Sequence, residues 1–287
     1  MSVHVQKSIR YLKEVHNQMK MPYRKGVITS LLTALVLSLS GCDSINLSGR
    51  EPGEIPFSLV DVDTGECPML MKIGQQRWNI DYFGFYLSNP EVRIDGKWQP
   101  VNFKKNEWQT SKVALMKFHS LCNTPEQAND KIVLDVSKAL MKLATNLRFT
   151  MGVPVAENHA NPLTLPSPLN DSSMFWSWQN GHKFLRIDVS KHSDPTRTWS
   201  YHLGSVGCES ESAVRPPEKS CAFTNRVEFI LPMTQLDTDL DLEVSVSNIV
   251  AQVNLEDSPS CMFETPETAP CDKLIQNLVH RPWIKWK

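Results

Sequence analysis

The stretch MFWSWQNGHKFLRIDV, residues 174–189, decides how this chain folds on paper. Asn180-Gly181 lies between two alternating runs, and a two-residue hairpin turn of that kind needs the positive φ that Asn and Gly supply. This register sets Gln179 opposite His182, Trp178 opposite Lys183 and Trp176 opposite Leu185. Side chains alternate along a strand, so Met174, Trp176 and Trp178 share a face with Lys183, Leu185 and Ile187. Phe175, Ser177 and Gln179 share the other face with His182, Phe184 and Arg186. Core packing beside Leu185 and Ile187 is the plain reason for two neighbouring indoles. A chemical use of one of them is the alternative.

Short runs of strand length recur on both sides of this hairpin. They are FSLVDV, YFGFYLSNPEVRI, SKVALMKF, NLRFTMGV, KFLRIDV, WSYHLGS, VEFIL and LEVSVSNIVAQV. Turn formers such as Asp95-Gly96 and several prolines separate them. The pattern predicts a mainly β protein: a single antiparallel sandwich-like or barrel-like domain over residues 57–287, stabilised by disulfides. Short helices are expected near residues 137–145 and in CDKLIQNLVHRPWIKW. The second should end before Pro282, because proline disfavours helical backbone in the residue ahead of it.

Thirty Lys and Arg against 31 Asp and Glu leave a net charge of -1, which argues against a nucleic-acid partner. At the N-terminus Arg24 and Lys25 precede the uncharged run GVITSLLTALVLSLSG, followed at once by Cys42. A basic region, a short apolar region and small residues before the cut describe an export signal over residues 1–41. Residues 1–20 are polar, and a start at Met19 or Met21 gives a signal of usual shape. SLSGC looks like a bacterial lipobox, which implies lipidation of Cys42 and a membrane anchor through buried methylenes. Residues 42–56 then form a polar tether, and the domain is expected in the periplasm, held to the cell envelope.

With Cys42 lipidated, six cysteines remain: Cys67, Cys122, Cys208, Cys221, Cys261 and Cys271. An even count in an exported chain reads as disulfides. Proximity favours Cys208–Cys221 and Cys261–Cys271, leaving Cys67–Cys122. Neither GxSxG, HExxH nor a glycine-rich phosphate loop occurs, so the chain is expected not to be an enzyme. Histidines are more telling. His159 lies in the proline-rich PVAENHANPLTLPSPLN, just before the tryptophans, and His202 lies in WSYHLGSVGC.

Taken in order, YFGFYLSNPEVR, RFTMGVPVAENHANPLTLPSPLN, MFWSWQNGHKFLRIDV and YHLGSVGC resemble the MbnP family over roughly residues 57–278. That family comprises periplasmic copper proteins encoded beside methanobactin operons. The resemblance implies a dihaem partner related to cytochrome c peroxidases, which oxidises a tryptophan to kynurenine. It also implies one copper ion, taken as Cu(I), held by the modified residue and histidines. Carried onto this chain, the candidates are Trp176 or Trp178 for oxidation and His159 and His202 as ligands, with His182 weak. Met174 shares the indole face, but a methionine there is more often core filler.

The chemistry behind this is specific. An indole nitrogen is a donor only and cannot ligate a metal. Opening the pyrrole ring leaves an aryl amine, a nitrogen ligand that suits copper beside imidazoles. A competing function is a β-sandwich module whose tryptophan face binds a small ligand or glycan without metal. For the N-terminus, labelled palmitate should enter the exported protein and be lost in Cys42→Ala. A Cys42→Ala form that stays membrane-bound would contradict the anchor.

Overall fold

The structure is a computed structural model that describes residues 49–212, 214–233 and 240–287. The export signal and residues 42–48 of the tether therefore lie outside the described residues. Among those described, no helix is long and apolar enough to cross a membrane. The chain is mostly β, as its alternating runs predict.

The strand Gln76–Ile94 organises the domain. It pairs antiparallel with Leu70–Ile73, Lys97–Pro100, Val113–Lys117, Asn146–Met151 and Leu185–Lys191. A bulge between Ser88 and Glu91 lets one strand serve so many partners. Asn89-Pro90 explains it: Asn89 takes a positive φ of 49°, and Pro90 has no N–H for a ladder. The resulting sheet has ten strands and stays open, with Val227–Pro232 and Cys261–Met262 at the ends of its path. The barrel form of the expectation is thus not the one realised. Nor is the pairing wholly antiparallel, because Cys261–Met262 runs parallel to Asp194–Leu203.

Alternation gives this sheet two covered faces. Phe83, Phe85 and Leu87 point into the main core with Leu185, Ile187, Val189 and Tyr201. A second sheet caps that side, in the order Ile284–Trp286, Leu242–Val244, Glu54–Leu59, Lys131–Val133. Its Phe57 meets Phe85 at 6.4 Å between ring centroids. This makes a two-layer sandwich. Tyr82 and Tyr86 point the other way, into a smaller cluster with Leu169, Met174 and Phe184. The proline-rich segment covers that face, anchored where the Tyr86 hydroxyl donates to the Pro168 carbonyl at 2.9 Å. Met174 is fully buried there, as core.

Both expected helices form, as Lys138–Leu143 and Cys271–His280. The first is capped by the Ser137 hydroxyl, which accepts from the Leu140 N–H at 3.2 Å. The run LEVSVSNIVAQV departs from strand after Val244 and turns into the short helix Val246–Ile249. Asp61 causes the turn by accepting from Val246 N–H, Ser247 N–H and the Ser245 hydroxyl.

The opening hairpin is the main correction. Its strands are only Phe175–Ser177 and Gly181–His182, paired Gly181 to Ser177 and His182 to Phe175. The loop is therefore Trp178-Gln179-Asn180, not Asn180-Gly181. The His182 N–H goes to the side-chain oxygen of Asn158 at 3.0 Å, and the Asn180 N–H to the Ser177 hydroxyl at 3.1 Å. Leu185 does not face Trp176; it pairs with Phe85 on one side and Leu203 on the other. Neither indole belongs to a core cluster, and Trp176 is 44% exposed.

Three disulfides form, Cys67–Cys122, Cys208–Cys221 and Cys261–Cys271. Each of the two local loops stabilises by about 3 kcal/mol at most on a chain-entropy model. Phe85 is fully buried against Phe57, Phe83, Phe118 and Trp283. Phe85→Ala should lower unfolding free energy by about 3–5 kcal/mol, measured by denaturant titration. A loss within error would mean that the two sheets do not share this contact.

Candidate metal centre

Antiparallel pairing of Leu185–Lys191 with Asp194–Leu203 sets Arg186 opposite His202 and Asp188 opposite Ser200. With Ile187 and Tyr201 committed to the core, these four point away from it together. Asp188 is their hub. It accepts from the Arg186 Nε at 2.6 Å, the Ser200 hydroxyl at 2.7 Å and the His202 Nε2 at 2.7 Å. Burial alone would raise the Asp188 pKa, but the hydrogen bonds from His202 and Ser200 and the Arg186 charge hold it well below the carboxylate range.

That arrangement fixes the tautomer of a neutral His202. Nε2 carries the proton toward Asp188, and the lone pair lies on Nδ1, which is buried without a partner. The ring meets Trp176 at 5.7 Å, tilted by 64°. Trp176 also packs on Phe263 at 5.1 Å and lies under the Lys183 ammonium at 5.2 Å. Burial brings the Lys183 pKa down to about 8, and its ammonium donates to the Ser173 carbonyl at 3.0 Å.

His159 follows the one-turn helix Val155–Asn158 at the start of the proline-rich segment. Its Nδ1 lies 3.3 Å from the carbonyl of Trp178, and its Nε2 lies 2.9 Å from the Asn158 amide nitrogen. These fit a ring protonated on Nδ1, with the Nε2 lone pair accepting from Asn158. Nε2 is also 3.5 Å from the sulfur of Cys221. The structure thus pairs Trp176 with His202, and the Trp178 backbone with His159. Among the described residues, no ring contact or hydrogen bond joins His159 to His202.

His182 is fully buried, its Nδ1 2.8 Å from the Asn158 carbonyl and its Nε2 2.9 Å from the Leu169 carbonyl. Both nitrogens face carbonyl oxygens, and the neutral ring donates from one of them, holding the proline-rich segment to the hairpin. His192 contacts Asn79 through Nδ1 at the far end of its hairpin. Sequence reasoning missed Asp188 and Lys183. The alternation of Arg186 and Asp188 opposite Ser200 and His202 was the available signal, once the two strands were paired.

His119 stacks on Tyr82 at 4.1 Å, and burial pulls its pKa down to about 4. Burial also lowers the pKa of His159 and His182. An unfolded histidine titrates near pH 6.5, so between about pH 4 and 6.5 the unfolded chain binds more protons than the folded one. Stability should therefore fall as pH drops through that window. The Asp188 contribution is present above about pH 3.9 and is lost only below it. Denaturant melts across pH should show the first loss flattened in His119→Gln. An unchanged slope in that variant would exclude His119 as a source.

A family model described as MbnP matches residues 55–263. No curated protein matches the sequence. Among solved structures, MbnP from Methylosinus trichosporium is similar, with a TM-score of 0.62 at 20% identity over 79% of this chain and 87% of that one. At that identity the likeness shows a shared fold. The family model itself spans most of the chain, from the first strand of the small sheet to Phe263 beside Trp176, and the chain therefore belongs to the MbnP family.

Proposed function

We propose that this protein is a non-enzymatic copper-binding lipoprotein of the periplasm, anchored through Cys42, and that Trp176 is its latent ligand. The carrying observation is the buried, unpartnered Nδ1 of His202, oriented by Asp188 and set against the exposed Trp176 ring. Histidines that ligate metals characteristically donate their other nitrogen to a carboxylate, which fixes the ring and raises its basicity. Asp188 and His202 make that pair. The donor chemistry fits copper on the same ground: a nitrogen lone pair without a protein partner, beside a residue that becomes a nitrogen donor when oxidised.

A dihaem partner would carry out the oxidation. With two equivalents of hydrogen peroxide as oxidant, each reduced to water, four electrons are removed: the C2–C3 bond of the indole breaks, C3 becomes a ketone and C2 an N-formyl group, which one water then hydrolyses to formate, leaving the aryl amine. Trp176 is favoured over Trp178 because it is the more exposed indole and touches a candidate ligand ring. His159 would join as second imidazole by releasing the Asn158 amide from its Nε2. Bound copper would supply a soft, nitrogen-seeking cation held as cargo. Lys183 and Phe263 hold the Trp176 ring in place until it is modified.

The test is intact mass and copper titration of protein made with and without the dihaem partner. One carbon should be exchanged for one oxygen in wild type and Trp178→Phe, and not in Trp176→Phe. Copper affinity should rise on modification and be lost in His202→Ala, while His192→Ala leaves it unchanged. Asp188→Asn should weaken binding by about 10- to 100-fold, as expected for a positioning residue. Equal copper affinity of modified and unmodified protein would overturn the latent-ligand mechanism and favour a metal-free binding module.

A further inference from the structure

The disulfide Cys208–Cys221 lies against an imidazole at the wall of an open cleft. The Cys221 sulfur is 3.5 Å from Nε2 of His159, and the two sulfurs and a His159 ring nitrogen all lie within 4.8 Å of one another. Among the described residues, no other group of three His, Cys, Asp or Glu side chains meets in this way. His159 and Cys221 line a cleft of about 390 Å³ that also presents Lys219 and Arg226.

Backbone contacts hold the two cysteine segments side by side independently of the sulfur–sulfur bond. Val206 and Phe223 exchange hydrogen bonds of 2.9 and 3.0 Å, and the Ala222 N–H donates to the Gly207 carbonyl at 3.1 Å. Asn225 donates to the Gly204 carbonyl at 2.9 Å, and Gln179 from the hairpin loop donates to the Cys208 carbonyl at 2.9 Å. Opening the disulfide would leave its two thiols on a frame that keeps them together.

We propose that reduction of Cys208–Cys221 creates a soft-metal site, with Cu(I) as its preferred ion, formed by the sulfurs of Cys208 and Cys221 and Nε2 of His159. A dithiol reductant supplies the two electrons. One of its thiolates attacks the Cys221 sulfur that faces the cleft, displacing the Cys208 thiolate. Its second thiolate then resolves the mixed disulfide, leaving two cysteine thiols and an oxidised reductant. Metal binding releases one proton from each thiol. The Nε2 lone pair exchanges its Asn158 contact for the metal.

The geometry suits this donor set. With metal–sulfur bonds of about 2.3 Å and metal–nitrogen bonds of about 2.0–2.1 Å, a tetrahedral site has sulfur–nitrogen edges of about 3.6 Å and sulfur–sulfur edges of about 3.7 Å. The Cys221–His159 edge is already 3.5 Å and the Cys208–His159 edge lies within 4.8 Å, so the main change is that the two sulfurs move apart once their bond is cut. Soft thiolate ligands suit Cu(I), as they also suit zinc. Two thiolates around Cu(I) carry a net single negative charge; the cleft wall presents Lys219 and Arg226 against one carboxylate, Glu218, a positive balance that complements it. The site needs neither an oxidised indole nor His202; it shares only His159 with the proposed tryptophan-derived one, and one Nε2 lone pair serves one metal at a time.

The test uses the full exported chain made without a dihaem partner, reduced anaerobically with a phosphine and desalted. Free thiols are mapped by alkylation, and the protein is titrated with Co(II) and then Cu(I). One equivalent of Co(II) should give thiolate-to-metal absorption. Metal should protect Cys208 and Cys221 from alkylation by about tenfold or more, and leave Cys67 and Cys122 unprotected. The oxidised protein should show neither effect. His159→Ala, which keeps every cysteine, should weaken binding and shift the Co(II) visible bands. Cys208 and Cys221 proven free yet unprotected in wild type would overturn the proposal. So would a Cys208→Ser/Cys221→Ser protein that keeps the absorption, or a disulfide that stays closed while the other two open. Tryptophan oxidation plays no part in this assay, so its failure with the partner would be seen separately.

Discussion

The strand Leu185–Lys191 is hydrogen-bonded on both edges, to Gln76–Ile94 and to Asp194–Leu203, and the rest of the domain depends on that double pairing. A strand held on both sides cannot slip by one residue without sending its apolar set to the wrong face. Leu185, Ile187 and Val189 are thereby committed to the main core, and Arg186 and Asp188 to the opposite face. The indole hairpin cannot continue into this strand. It ends at His182 and lies as a separate two-stranded flap, which is why Trp176 stays outside the core.

The second face of the sheet carries an unusual amount of charge under partial cover. Lys117, Asp171, Lys183, Arg186, Asp188, His119 and His202 all lie there around Tyr82 and Ser173. Arg186 sits 4.0 Å over the Tyr82 ring, Lys117 pairs with Asp171 at 3.1 Å, and the Tyr82 and Ser173 hydroxyls are 2.8 Å apart. Partly buried charges cost desolvation unless they are paired and hydrogen-bonded. Nearly all of these are satisfied. The exceptions are one ring nitrogen each of His119 and His202. An unsatisfied acceptor in such a network is costly, and at His202 it lies beside the exposed Trp176 ring.

The proline-rich segment links the two candidate sites. His182 ties it to the hairpin through the carbonyls of Asn158 and Leu169, and Asn158 in turn contacts the His159 ring. Gly181 belongs to the same junction: its φ is +74°, and a Cβ there would fall 2.5 Å from the Asn158 carbonyl oxygen. Only glycine permits that approach. Hairpin, His159 and the Cys208–Cys221 disulfide are therefore tied to one another by direct contacts, while His202 is held by the sheet.

Much of this was legible in the residues alone. Period-two runs determined a β protein, because alternation is a local consequence of strand geometry. Ser137 and Pro282 marked the helix boundaries, and spacing was enough to pair the cysteines, since short loops close most easily. The order of the histidine and tryptophan segments pointed to the family. Other features were decided only in three dimensions. The Asn-Gly signal was overridden because Asn158, more than twenty residues upstream, offered its own oxygen to the His182 N–H. LEVSVSNIVAQV turned helical because distant Asp61 capped it. Asp188 emerged as the hub only once strand pairing set Arg186 beside His202. These contacts join residues far apart in the chain, and no local propensity encodes which partner a backbone donor will find.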